Sequence, residues 1–84
     1  MQEKDNIQLV VLTPEKTVLD VKVSKVTLPA SKGQFMVLYN HAPVITSLED
    51  GLIIYESGGA LAKLSILGGF AEVNENVVTI CAEI

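Results

Sequence analysis

GQFMVLYNHAPVI, residues 33–45, decides how the rest of the chain is read. Phe35, Met36, Val37 and Leu38 are four consecutive apolar residues between Gly33 and Asn40, too short a run for a lone amphipathic helix, so the segment reads as a strand. Asn40, His41 and Pro43 then break the apolar character. Pro43 fixes its own φ and pushes Ala42 toward an extended conformation. Val44 and Ile45 resume at once, giving a strand, a stiff polar corner and a second strand, with LEDGLI at 48–53 repeating the theme of apolar residues around a turn.

Outward from this segment the same grammar recurs. Ile7–Leu12 reads as a strand closed by Thr13 and Pro14, with TPEKT as a turn. TVLDVKVSKVTL, 17–28, alternates with Val21 and Val23 on one face. The parity slips near Ser24 and Lys25, which predicts a bulge or a break into two short strands. Residues 29–33 read as a loop. Asp50-Gly51 between apolar flanks predicts a hairpin with positive φ, and Gly58-Gly59 predicts another. Ala60–Leu67 alternates, Gly68-Gly69 predicts a sharp bend, Asn74, Glu75 and Asn76 a turn, and Val77–Ile84 a closing strand. No segment carries a 3.6-residue period over ten or more positions. The expected fold is all-β: a small antiparallel sandwich or flattened barrel of about eight to ten short strands without a long helix.

The 84 residues make one domain, 1–84, with little stability to spare. Cys81 and His41 are each the only residue of their type, so neither a disulfide nor an obvious metal site can reinforce it. Cys81 is expected as a buried apolar filler, and unpaired cysteine fits a reducing compartment. A net charge of -4 with no basic run argues against nucleic acid as a partner. The opening MQEKDNIQ lacks the order of a signal peptide, and no apolar run approaches the ~18 residues that cross a bilayer.

Chemistry finds little footing. His41 is the one candidate for acid or base work near neutral pH, and its corner position suits a hydrogen-bonding or interface residue better. The Gly pairs lack the following helix and Lys of a phosphate cradle. No catalytic residue, cofactor or metal is therefore expected. By contrast, Leu9–Leu12, Phe35–Leu38 and Leu52–Tyr55 are apolar on both faces, and a two-layer domain covers only one face of each sheet. The surplus calls for a lasting protein neighbour over an interface of about 2,000 Å² or more.

From Ile7 to Ile84 the chain resembles the amino-terminal β-sandwich domain of the ATP synthase epsilon subunit, called delta in mitochondria. The resemblance is carried by TPEKTVLD, the SKGQF loop, the HAP tripeptide at His41–Pro43, SLEDGLI, the Gly68-Gly69 pair before Phe70, and the terminal VVTICAEI. Where members read Leu-Gly-Ile-Leu-Pro-Gly-His, this chain has Phe35 through Asn40 before His41, and Asn40 can still take the positive φ that Gly would. Most bacterial members continue into a two-helix domain, which is not expected within these 84 residues.

The resemblance implies a non-catalytic rotor subunit of the central stalk, linking the gamma subunit to the c-ring and so coupling proton flow to ATP synthesis or hydrolysis. It implies a peripheral position on the cytoplasmic face of the bacterial inner membrane. Ser31, Lys32, Gly33 and Gln34 match the loop facing the c-ring, with Gln34 where Glu is commoner, and Thr13, His41 and Thr46 match positions near gamma. The alternative is a generic β-sandwich interaction or assembly module.

Overall fold

Two-residue alternation organises almost the whole chain, and in a computed structural model, which describes residues 5–84, it becomes nine strands. They are β1 (Ile7–Leu12), β2 (Thr17–Val23), β3 (Lys25–Ala30), β4 (Gly33–Val37), β5 (Val44–Leu48), β6 (Gly51–Ser57), β7 (Ala60–Ile66), β8 (Gly68–Asn74) and β9 (Val77–Glu83). Hydrogen bonding runs β2-β1-β9-β8-β5-β3-β6-β7, with β4 on β3. The sheet folds over where Ala30 of β3 meets Leu48 of β5, a single rung. One layer is thus β2-β1-β9-β8-β5 and the other β7-β6-β3-β4. The all-β sandwich expected from the sequence is what forms.

Every odd residue of β1 points inward: Ile7, Leu9 and Val11 are fully buried. They share one apolar cluster with Val26 and Leu28 of β3, Ile53 of β6, Val73 of β8, and Val78 and Ile80 of β9. Among the described residues no polar or charged side chain is buried. The parity slip lies where the sequence placed it: β2 ends at Val23, β3 begins at Lys25, and the chain changes layer at Ser24. There the Ser24 N–H donates to the Glu56 carbonyl at 2.8 Å, and the Ser57 hydroxyl donates to the Lys22 carbonyl at 2.8 Å. The Thr13 hydroxyl accepts from the N–H groups of Glu15 and Lys16 at 3.3 Å each, closing the TPEK turn.

Several expectations need correction. The loop predicted at 29–33 shrinks to Ser31-Lys32, because Pro29 and Ala30 remain in β3 and Ala30 faces Gly33 across a two-residue hairpin. Asp50-Gly51 makes no hairpin. β5 pairs with β8 and β6 with β3 and β7, so this link carries the chain between layers. Gly51 has no positive φ and serves close packing: a Cβ there would lie 2.9 Å from Pro29 Cβ. The bend assigned to Gly68-Gly69 falls at Leu67 instead, and both glycines lie within β8. Gly69 has φ 148, and a Cβ on it would come within 2.1 Å of the Cys81 carbonyl oxygen. Lastly, β1 and β9, the first and last strands, pair in parallel.

At the pole opposite the TPEK turn, Asn40 at φ 64 and Asn76 at φ 64 face each other. The Asn40 N–H donates to Asn76 Oδ1 at 2.6 Å, and Asn76 Nδ2 donates to Asn40 Oδ1 at 3.3 Å. This pair clasps the elbow after β4 to the β8–β9 turn.

Gly69→Ala should destabilise the fold by about 3 kcal/mol or more, since backbone clash and disfavoured φ act together. Gly58→Ala, at φ 60 with nothing within 4 Å of the added Cβ, should cost only about 1 kcal/mol. Urea unfolding of both variants measures the difference, and equal losses would contradict the close-approach account of Gly69.

Candidate functional site

With the interior sealed by hydrocarbon, any working surface lies on the outside. In β9, Val78, Ile80 and Ala82 point inward, so Cys81 must point out. It is exposed, not the buried filler expected, and the strand parity of VVTICAEI is the reason. The same parity turns Phe70 outward in β8, beside inward Ala71 and Val73, and Ile45 outward in β5.

Strand register assembles these side chains into rows. Leu12 stands opposite Cys81, Cys81 opposite Phe70, and Phe70 opposite Ser47. The next row on the same face runs Val10, Thr79, Glu72 and Ile45. Phe70 is 64% exposed and Ile45 74%, far beyond what a core position would tolerate. Together with Leu12 and Cys81 they form an apolar panel on one layer. At its end Pro14, Thr13, Leu12, Cys81, Phe70 and Ser47 line a groove. Scattered exposed apolar residues need no explanation, but a contiguous panel does.

The other layer also shows apolar residues outside, among them Met36 and Leu52. There they are interleaved with Lys63 and the Lys25–Glu56 ion pair at 3.7 Å, as Ile45 stands opposite Glu72 on the panel layer.

The residues singled out from the sequence fall in three places. Ser31, Lys32, Gly33 and Gln34 form the β3–β4 hairpin tip, all four exposed. Thr13 sits at the groove, its hydroxyl engaged in the TPEK turn. His41 lies at the opposite pole, three residues before Val44, half-buried, with its ring 6.1 Å from Phe35 and Nδ1 2.7 Å from the Ala42 carbonyl. Thr46 lies between them on β5 but is only half-exposed, paired with buried Ala71 on the inner side of the pleat. The structure therefore does not gather Thr13, His41 and Thr46 into a cluster; they mark the two poles and the middle of the layer that bears the panel. Ile45, Phe70, Leu12 and Cys81 were missed as surface residues, although the alternation of FAEV and ICAE at 70–73 and 80–83 already placed Phe70 and Cys81 opposite their buried neighbours.

The ATP synthase Delta/Epsilon chain beta-sandwich domain model matches residues 6–84. The ATP synthase epsilon chain of Nitratidesulfovibrio vulgaris is 40% identical over 78 residues, covering 93% of this chain and 58% of the relative. That of Cyanothece sp. is 44% identical over 70 residues, covering 83% and 51%. The chain thus spans little more than half the length of these curated relatives. A chain in the Euglena gracilis mitochondrial ATP synthase OSCP/F1/c-ring structure superposes with a TM-score of 0.86 at 30% identity, over 93% of this chain and 51% of that one. One in the Tetrahymena thermophila mitochondrial ATP synthase central stalk/c-ring structure gives 0.77 at 16% identity, over 99% and 67%, a likeness of fold alone. On a match that takes in every strand, this chain belongs to the beta-sandwich domain family of the ATP synthase delta and epsilon chains.

Proposed function

We propose that this domain is a non-catalytic rotor element of a proton-translocating ATP synthase, with the apolar panel against the gamma subunit and the Ser31–Gln34 tip against the loops of the c-ring. The observation that carries the reading is the outward row of Leu12, Cys81 and Phe70 with Ile45 beside it, apolar surface that the fold itself leaves uncovered. Membership of the ATP synthase delta/epsilon chain family supports a place in that complex, and the 30%-identical neighbour solved in an OSCP/F1/c-ring assembly supports a position near the ring.

The role requires stiffness and shape. A side chain such as Phe70, held on a central pair of strands with a buried backbone, offers a fixed hydrophobic anchor at low conformational cost. The tip is a two-residue turn on a hairpin, short enough to transmit a lateral push. Such a domain works on the cytoplasmic face of the bacterial inner membrane, held there by its partners. Among the described residues no helix is long and apolar enough to span a bilayer.

Phe70→Lys or Ile45→Lys should leave the urea midpoint nearly unchanged, both positions being exposed, while weakening gamma binding by about 10- to 100-fold. Urea unfolding reads the first outcome and calorimetric titration of gamma the second, and undiminished affinity would reject the panel as the docking face. Cys81 should react stoichiometrically with a thiol reagent in the free domain and become protected when gamma is bound. Equal labelling in both states would place gamma elsewhere. In a chain with Cys81 replaced by Ser, Gln34→Cys should cross-link to a cysteine in a c-ring loop. Cross-linking to gamma alone would invert the proposed orientation.

A further inference from the structure

The β3–β4 hairpin is poorly braced by the sheet itself. β4 is a terminal strand that pairs only with β3, and β3 meets the panel-bearing layer through the single Ala30–Leu48 rung. Two backbone bonds flank that rung: the Ser31 N–H donates to the Ser47 carbonyl at 3.1 Å, and the Glu49 N–H donates to the Pro29 carbonyl at 2.8 Å. Between them the hydroxyls of Ser31 and Ser47 stand 2.8 Å apart, and the Ser31 hydroxyl also lies 3.4 Å from the Ser47 carbonyl. Ser31 is the first residue of the tip. Ser47 is the residue directly opposite Phe70 in the panel.

We infer that Ser47 is a positioning residue which, through its hydroxyl pair with Ser31, fixes the angle of the ring-facing tip to the gamma-facing panel. The inference rests on the orientation proposed above. A lateral load on the tip reaches the panel by the shortest covalent and hydrogen-bonded route through Ser31, Ser47 and the Ser47–Phe70 rung. Both hydroxyls are exposed and could turn to water. The backbone bond between the same two residues keeps them within reach, so forming the side-chain bond loses little further freedom. Ser47 also reports a division of labour along β5: Leu48 enters the core, Ile45 belongs to the panel, and Ser47 joins panel to tip.

Ser47→Ala keeps the strand backbone and removes only the hydroxyl, which makes it a clean test. Exchange of the Ser31 amide, measured by NMR on the chain, should speed up about fivefold, the effect of one lost net hydrogen bond. In the reconstituted synthase the variant should pump fewer protons per ATP hydrolysed. Ser47→Thr, which keeps a hydroxyl, should restore both readings. An unchanged Ser31 exchange rate in Ser47→Ala overturns the brace. Faster exchange with full pumping overturns its role in coupling. Failure of Gln34→Cys to reach the c-ring in an otherwise unaltered chain would instead refute the orientation, and leave the exchange result to judge the brace by itself.

Discussion

Ile7, Leu9 and Val11 of one layer share a single hydrocarbon cluster with Val26, Leu28 and Ile53 of the other, and among the described residues no polar side chain is buried with them. This sealed interior is the constraint on which the remainder depends. At roughly 25 cal/mol per Å² of apolar area removed from water, it is the dominant favourable term available to so small a domain. It leaves the outward positions free of any packing duty. An outward Phe70 or Ile45 is therefore not explained by folding.

The same constraint gives the domain its stiffness. Two layers that must stay in contact can approach or diverge only by opening the core, and the polar devices sit at the rims where that would begin. Ser24 and Ser57 tie the layers at one pole, where Asn40 and Asn76 also clasp two turns. Ser31 and Ser47 tie them at the other. Within the panel layer, Gly69 lets β8 press against the Cys81 carbonyl more closely than any residue with a Cβ could. Each of these contacts adds little stability alone. Their placement matters more, because they oppose shear between the two layers.

How much of this could be read from the chain depended on the range of the interaction. Most strand positions, the break at Ser24 and the Asn40 corner follow from two-residue alternation and local φ preference and were legible, whereas Pro29-Ala30 and Gly68-Gly69 were read as loop and bend and lie in strands. So was the surplus of apolar surface. The pairing partners were not. Asp50-Gly51 carries a hairpin signature, yet the chain crosses between layers there because β5 and β6 each find better neighbours far away in sequence. Gly51 and Gly69 both answer to steric neighbours, Pro29 and Cys81, that only the fold brings near. Cys81 is a different case. Its parity was visible, but residue type was given more weight than the alternation of Val78, Ile80 and Ala82 around it. The candidate surface was thus legible as a quantity of hydrophobicity and illegible as a place, since a panel exists only after four strands are set in register.

The parallel pairing of β1 with β9 sets the order in which this protein can come into being. Gln8 through Leu12 find their neighbours in Val77 through Cys81, so the first strand of this domain waits for its ninth. Until the final strand emerges from the exit tunnel, one edge of β1 stays unpaired and Ile7, Leu9 and Val11 lack part of their cover. Closure of so long a loop is slow compared with making local hairpins. Synthesis of the whole domain must precede its completion, and the nascent chain carries an open, adhesive strand edge throughout that interval.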